Sequence, residues 1–203
     1  MSDESTDQAR RQLLAITTGL GLAGTAVASI PFVLSMQPSA RARAAGAPVE
    51  VDISKLEAGQ RLVVAWRGKP VWIVNRTKKM LGTLPGMTGK LVDPGSDASE
   101  QPSYAQNEWR SIRPEILVLV GICTHLGCSP LAKFIAGAAS GLGRDWPGGF
   151  FCPCHGSFFD FAGRVYKGVP APTNLVVPPH AYLSDTRIIV GLSPDEAEKN
   201  KNA

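Results

Sequence analysis

The chain has 203 residues, enough for one domain of ordinary size with additions or for two small domains. Hydrophobic residues make up 44% of it, which excludes a chain that is disordered as a whole. The net charge of +4 is compatible with nucleic-acid binding, but the basic residues are scattered and form no long run. The densest basic cluster, Arg76 with Lys78 and Lys79, is interpreted as a solvated loop, and no nucleic-acid partner is predicted.

The N-terminal region combines an arginine pair with a long apolar segment. Residues 1–12 contain the arginine pair, and "ARRQLL", residues 9–14, resembles the twin-arginine export signal, a route taken by proteins that are already folded around a cofactor. Residues 13–36 carry no charge, and as a helix they would be about 36 Å long, enough to cross a hydrocarbon core of about 30 Å. Pro31 is tolerated in a membrane helix. A buried core helix is the alternative, although soluble helices rarely run this far without a charge.

We expect this segment to remain as a transmembrane signal anchor. Export would leave the N-terminus in the cytoplasm and the following domain in the periplasm. The sequences "ARA" at 40–42 and 42–44 resemble signal cleavage sites, so removal of the segment is the alternative.

A linker and a β-rich head are expected after the anchor. Residues 37–48 are small residues, prolines and arginines without an apolar period, which predicts a flexible hinge. Residues 49–193 contain short runs rich in Val, Ile and Trp, beginning with "VEVDI", "RLVVAW" and "PVWIVN". A hairpin is expected at Gly68, and Thr77 is a candidate helix cap. Residues 85–102 are predicted to be a loop.

Two apolar strands are predicted to lead into cysteine-containing segments. "EILVLVGI", residues 115–122, precedes Cys123, and "GGFFCP", residues 148–153, contains Cys152. Further strands are expected in "RVYKG", "LVVPP", "AYLSD" and "RIIVGL". Residues 194–203 are expected to be a polar tail or a short helix. The predicted fold class is all-β.

The segments "CTHLGC" and "CPCHGS" hold all four cysteines and two of the three histidines: Cys123, His125, Cys128, Cys152, Cys154 and His155. Three interpretations compete. Structural zinc takes four ligands, usually from paired C-x(2–4)-C motifs, and the spacings here differ. Two disulfides would suit an exported domain but leave both histidines unexplained. A [2Fe–2S] cluster with two Cys on one iron and two His on the other would leave one cysteine in each segment free to bridge.

These segments resemble the two cluster-binding motifs of Rieske iron–sulfur proteins, in particular the disulfide-containing branch of cytochrome bc and related complexes. The resemblance covers the anchor, the linker and nearly all of the head. It implies antiparallel sheets with a cluster-binding subdomain at about 115–175, and one [2Fe–2S] cluster. By motif position it implies two ligand pairs and one disulfide: Cys123 with Cys152, His125 with His155, and Cys128 with Cys154.

The chemistry of such a cluster suits proton-coupled electron transfer. Two ferric ions, two sulfides and two thiolates cancel in formal charge, whereas a four-cysteine cluster keeps two negative charges. The neutral cluster accepts an electron more readily, so histidine ligation raises its potential. Reduction makes the outer imidazole nitrogen more basic, so a proton can follow the electron. His155 and His125 are therefore the predicted catalytic residues.

The resemblance also implies roles for residues around the cluster. Ser157 would donate a hydrogen bond to a bridging sulfide. Phe159 stands where many members have a tyrosine, which predicts a lower potential. Gly127 and Gly156 would let the backbone approach the cluster, with amides pointing at sulfur. Leu126 would help docking on cytochrome b, and the "GVPAP" loop would cover the cluster through Gly168, Pro170 and Pro172.

The function implied is that of the electron-transfer subunit of a quinol:cytochrome c oxidoreductase. The head would take one electron from quinol at cytochrome b and carry it to a c-type cytochrome (c1), contributing to proton translocation. The implied setting is a dimeric complex in the bacterial inner membrane. Two alternatives are the Rieske subunit of a periplasmic molybdenum oxidoreductase, such as arsenite oxidase, and a zinc-binding export domain. His180 has no partner motif and is predicted to be a structural or surface histidine.

Overall fold

The N-terminal unit consists mainly of one long helix. The structure is a computed structural model that describes residues 2–201, and the chain divides between residues 44 and 45 into this unit and a head. Helix α1 covers Ser2–Ser35, with Pro31 inside it. Its part Thr6–Ser35 is long and apolar enough to cross a membrane, and the most apolar stretch is fully exposed. The predicted apolar helix is therefore confirmed, and it is compatible with a transmembrane anchor.

Four hydroxyl groups along α1 are satisfied by the helix itself. Those of Thr17, Thr25, Ser29 and Ser35 each donate to a backbone carbonyl one turn earlier, at 2.6 to 2.8 Å. A polar group without a partner is costly in hydrocarbon, where water cannot provide one. The hydroxyls therefore do not prevent this helix from lying in a bilayer.

The predicted linker contains a short helix that its composition alone did not suggest. Helix α2 covers Ala40–Ala45. The Oγ atom of Ser39 accepts the backbone N–H of Ala42 at 3.1 Å, as a helix cap does. Alanine also has the highest intrinsic helix propensity, which favours this short turn. The role of residues 37–48 as a hinge stays a prediction.

The head contains three antiparallel sheets of three strands each. The first sheet has the order β1–β9–β8, the second β2–β3–β4 and the third β5–β6–β7. In chain order the strands are β1 Val49–Asp52, β2 Arg61–Trp66, β3 Lys69–Asn75, β4 Ile116–Val120, β5 Leu131–Lys133, β6 Gly149–Cys152, β7 Ser157–Phe159, β8 His180–Ser184 and β9 Arg187–Val190. The predicted all-β class with antiparallel pairing is confirmed.

The structure confirms two local predictions from the sequence, the hairpin at Gly68 and the helix cap at Thr77. Strands β2 and β3 are joined by Arg67 and Gly68, both with positive φ, as a two-residue hairpin requires. The side chain of Thr77 accepts the backbone N–H of Met80 at 3.2 Å and caps helix α3, Lys78–Thr83. The chain also forms 3-10 turns at Pro85–Lys90, Ser103–Ala105 and Ala138–Ser140, and ends in helix α4, Pro194–Lys201.

In the sheet β2–β3–β4, strands β3 and β4 are buried on both faces and support the rest of the head, whereas the edge strand β2 is partly exposed. Val71, Ile73 and Val118 pack toward β1 and β9 in one core cluster. Trp72 and Leu119 belong to a second core cluster, together with β6 and β7. Burial on both faces explains why "EILVLVGI" is apolar throughout and does not alternate. The second cluster includes Cys123 and Cys152, so the cysteine segments stand on the main core.

Two predicted strands do not form. In "RVYKG", the backbone N–H of Val165 is donated to Oδ1 of Asn174 at 2.9 Å, and only isolated bridges join this segment to its neighbours. In "LVVPP", two consecutive prolines lack the N–H groups that a strand ladder needs. Two three-residue strands, β5 and β7, were not predicted because so short a run has no visible alternation.

The interpretation of Arg76 as part of a solvated loop is wrong. Its side chain is buried, and Nη1 donates to the carbonyl of Phe161 at 3.0 Å. Arg110 is also buried and donates to the carbonyl of Ala162 at 3.1 Å. These cations hold the turn that follows β7, where exposed carbonyl groups would otherwise be left without partners. Lys78 and Lys79 are exposed, as expected.

Candidate iron–sulfur centre

Two loops of similar local structure carry the cysteines and histidines. The first follows β4 and the second joins β6 to β7. In the first, the backbone N–H of Gly127 is donated to the carbonyl of Cys123 at 3.1 Å, and in the second that of Gly156 to the carbonyl of Cys152 at 3.0 Å. Both glycines have φ near +80°, at +84° and +79°, where a side chain would be strained. Their N–H groups therefore serve carbonyl oxygens, whereas we expected them to point at sulfur.

The two loops are joined by the predicted disulfide. Cys128 and Cys154 are bonded, with Cα atoms 6.7 Å apart and 26 positions of separation in the sequence. The Sγ atom of Cys152 lies within 4.8 Å of both disulfide sulfurs. Because two of these three sulfurs are already bonded to each other, the trio is not a metal site of its own. The bridge leaves two thiols and two imidazoles, a set that zinc or a Rieske-type cluster could use.

Cys123 and Cys152 are the free thiols of the site, and both are buried. Burial raises the pKa of the Cys123 thiol, and the neighbouring Cys152 adds to that rise. Hydrogen bonds from the backbone N–H of His125 and from Ser157 lower the same pKa. A bound metal deprotonates a coordinating thiol outright, so the two thiols suit ligation of a cation.

His125 and His155 lie beside each other, one from each loop. Their ring centroids are 4.7 Å apart and the ring planes are nearly perpendicular, at 88°. His125 is half-buried, and its Nδ1 atom is buried without a hydrogen-bond partner among the described residues. An unsatisfied ring nitrogen of this kind is costly unless something occupies it. Metal ligation would satisfy it, so the residues present fit the expected group. His155 is exposed.

Ser157 connects the second loop to the "GVPAP" segment. Its buried Oγ atom accepts the backbone N–H of Ala171 at 3.0 Å, and its hydroxyl interacts with the thiol of Cys123. On the other side, Oγ1 of Thr124 donates to the carbonyl of Thr173 at 2.7 Å. The segment is thus held by both ligand loops. The sequence analysis missed Thr124, whose position between Cys123 and His125 was the available signal.

The remaining predicted site residues are either exposed to solvent or buried in the core. Leu126 is 72% exposed, and Pro170 and Pro172 are also exposed. Phe159 is fully buried in the core cluster that contains Cys123 and Cys152.

His180 is buried, with Nδ1 2.9 Å from the carbonyl oxygen of Pro178. Burial lowers the pKa of His180. It is therefore a structural histidine, one of the two roles predicted for it.

The comparison with known families identifies the class of this site. The family model described as "Rieske [2Fe-2S] domain" matches residues 101–179, a range that contains both loops and the "GVPAP" segment. The head is thus a Rieske domain, and its cofactor is a Rieske-type [2Fe–2S] cluster.

Comparison with individual proteins narrows the assignment from Rieske domains in general to one family. The chain is 60% identical over 182 residues to the "Ubiquinol-cytochrome c reductase iron-sulfur subunit" of Allochromatium vinosum, covering 90% of this chain and 87% of the relative. It is 44% identical over 184 residues to the protein of the same name from Bradyrhizobium diazoefficiens, covering 90% and 94%. Among solved structures, a chain of "Hyperthermophilic respiratory Complex III" is 26% identical with a TM-score of 0.45, covering 89% of this chain and 98% of that one. The chain belongs to the family of ubiquinol–cytochrome c reductase iron–sulfur subunits.

Proposed function

We propose that this chain accepts one electron from quinol at cytochrome b and delivers it to a c-type cytochrome, within a membrane-bound quinol:cytochrome c oxidoreductase. The names of the relatives support an oxidoreductase complex of this kind. The long apolar helix α1 supports a membrane-anchored subunit.

Four residues are proposed to hold the cluster. Cys123 and Cys152 would bind one iron, and His125 and His155 the other. When bound, the cluster supplies one-electron transfer at a potential raised by the histidine ligands. The two buried free thiols and the unsatisfied Nδ1 of His125 support this ligand set.

The proposed transfer of a proton and an electron from quinol rests mainly on one observation, the exposed imidazole of His155. An imidazole that binds a metal through one nitrogen presents the other to its surroundings. Because His155 is exposed and lies against His125, its outer nitrogen can accept a hydrogen bond from a quinol hydroxyl. In that geometry the quinol proton moves to the imidazole as the electron leaves. His125 is the second candidate for the same contact.

An apolar rim around the imidazoles would dock on cytochrome b. Leu126 follows His125 directly and is 72% exposed, more than any other large hydrophobic side chain in the described part of the head. Pro170 and Pro172, exposed on the "GVPAP" segment held by Ser157 and Thr124, would extend this rim. An apolar rim that excludes water around a polar pair suits a site for a lipid-soluble quinol.

Purification of the complex tests the proposed partners. With an affinity tag on the full chain, we expect b-type and c-type haem spectra to co-purify from detergent-solubilised membranes, with quinol-dependent reduction of cytochrome c. Molybdenum in place of haem would point to the arsenite-oxidase type of complex instead. A preparation with neither would contradict the proposal.

A matched pair of surface variants tests the docking rim. Leu126→Asp should slow quinol oxidation by about tenfold or more, because a charge would have to be desolvated at the interface. Leu183→Asp, on β8 and 38% exposed, should leave the rate unchanged. Both variants should keep the EPR signal of the reduced cluster. Equal rates for the two variants would contradict the role of Leu126.

A further inference from the structure

Cys152 is placed where it can attack the disulfide that joins its own loop to the other. Its Sγ atom lies within 4.8 Å of the Sγ atoms of both Cys128 and Cys154. Bond formation requires an approach to about 2.05 Å, so a shift of a few ångströms suffices. Cys123, the other free thiol, does not belong to this close trio. The two thiols of the site therefore differ in their access to the bridge.

We propose that, in the chain without its cluster, Cys152 undergoes thiol–disulfide exchange with the Cys128–Cys154 bridge. The Cys152 sulfur gives its proton to solvent and forms a bond to Sγ of Cys128. The Cys128–Cys154 bond breaks, and Cys154 leaves as a thiolate that takes a proton from solvent. One disulfide and one thiol are present before and after, so no oxidant or reductant is consumed. This inference goes beyond the proposed electron-transfer function and concerns the unloaded protein.

The structure favours attack at Cys128 over attack at Cys154. A bond between Cys152 and Cys154 would close a very small ring through Pro153, whose fixed φ restricts the backbone further. Attack at Cys128 instead releases Cys154, whose side chain is exposed to water. A solvated thiolate is the better leaving group. The product joins Cys152, which is buried, to Cys128, which is half-buried.

Exchange would block loading of the cluster, because Cys152 is one of its proposed ligands. A bound cluster would in turn hold the Cys152 sulfur and protect the native bridge. The head would thus reach its working state only when the cluster is in place before the cysteines equilibrate. An unloaded head would be marked by an exposed, reactive thiol at Cys154.

Two variants of the full chain, each with one cysteine replaced, provide the test. Neither keeps all four proposed ligands of the cluster. Each is purified in detergent without oxygen, held for hours, treated with iodoacetamide and mapped by mass spectrometry without reduction. In Cys123→Ser we expect a Cys128–Cys152 bond and alkylated Cys154. In Cys152→Ser we expect the Cys128–Cys154 bond, alkylated Cys123 and about tenfold less label on Cys154.

Wild-type protein supplies the second measurement if either variant misfolds. The loaded protein should show only the Cys128–Cys154 bond. After removal of the cluster by an anaerobic chelator and immediate desalting, the Cys128–Cys152 bond should replace it, whereas the same chain in denaturant should show mixed pairings. Retention of the Cys128–Cys154 bond with alkylated Cys152, in Cys123→Ser or in the unloaded wild type, would overturn the proposal. Loss or retention of quinol oxidation does not bear on this result.

Discussion

Phe159 is a buried side chain that we predict to influence the reduction potential of the cluster. It is fully buried in the core cluster that also contains Cys123 and Cys152. We predict that Phe159→Tyr raises the midpoint potential, on the order of tens of millivolts, because a new donor would stabilise the added negative charge. An EPR-monitored redox titration measures this shift.

Phe158→Tyr is the matched control for that substitution. Phe158 is half-buried and packs against Trp146 and Phe151, outside the core cluster that contains the thiols. Its added hydroxyl should leave the potential unchanged. An unchanged potential in Phe159→Tyr, with the protein still folded, would show that this position does not govern the cluster.

At the residue scale, the sequence predicted the chemical roles of side chains better than it predicted which side chains are buried. The disulfide, the cap at Thr77 and the structural role of His180 followed from spacing, local rules or family resemblance, and the structure shows all three. The burial of Arg76 could not be predicted, because an arginine close to two lysines is expected to be solvated. Its burial follows only from the carbonyl groups to which it donates. Those partners lie far along the chain, as for Phe161, which is 85 positions away.

The disulfide is the covalent link between the two ligand loops, so its removal should loosen both. A loop of this length predicts a loss of about 3 kcal/mol in the free energy of unfolding when Cys128 and Cys154 are both replaced by Ser. For a chain of this size the melting temperature should fall by about 10 °C. The cluster absorbance should also be lost faster to a chelator. Thermal melts followed by visible circular dichroism provide both readouts, and a melting temperature within about 2 °C of wild type would contradict this role.

The turn after β7 depends on a buried ion pair. Asp160 and Arg164 approach to 2.8 Å, and both side chains are 1% exposed. Asp160 is the one fully buried carboxylate in the described part of the chain. Two further cations, Arg76 and Arg110, are buried in addition to Arg164. We predict that Asp160→Asn costs about 3–5 kcal/mol of unfolding free energy, because it leaves buried cations without a counter-charge.

Denaturant titration of the full chain in detergent measures that loss. The control is Glu50→Gln, which breaks the exposed pair between Glu50 and Arg187 at 3.7 Å. An exposed pair contributes about 1 kcal/mol or less. Similar losses for the two variants would mean that the buried pair has no special role.

At the level of elements, long strands were predictable and short ones were not. The runs that became β2, β3 and β4 carry enough Val, Ile and Leu to be recognised without knowledge of the fold. Strands β5 and β7 have three residues each and exist because β6 lies between them. Conversely, "RVYKG" has strand composition, but the side chain of Asn174 takes the hydrogen bond that a neighbouring strand would have made.

At the scale of the whole molecule, the proposed function requires the head to move relative to its anchor. Residues 37–48, with the short helix Ala40–Ala45, would be the hinge. A tether keeps the head at high effective concentration near both cytochromes. We predict that several prolines across residues 42–46 slow turnover, because a stiff, extended linker restricts that movement.

Steady-state reduction of cytochrome c by quinol, with the EPR signal as a check on the cluster, measures this effect. Gly and Ser at the same positions remove the short helix but keep the linker flexible, so they form the control. If the proline variant turns over as fast as the Gly/Ser variant, the moving-head proposal fails.

We propose that two imidazoles and two thiolates hold one diiron centre between these loops. Pulsed EPR of the reduced, purified full chain tests it most directly, with the histidines labelled with ¹⁵N in a parallel sample. We expect strong couplings from two histidine nitrogens, both altered by the label, together with iron and acid-labile sulfide in equal amounts. Coupling to fewer than two histidines, or a chain with zinc and no iron, would contradict it.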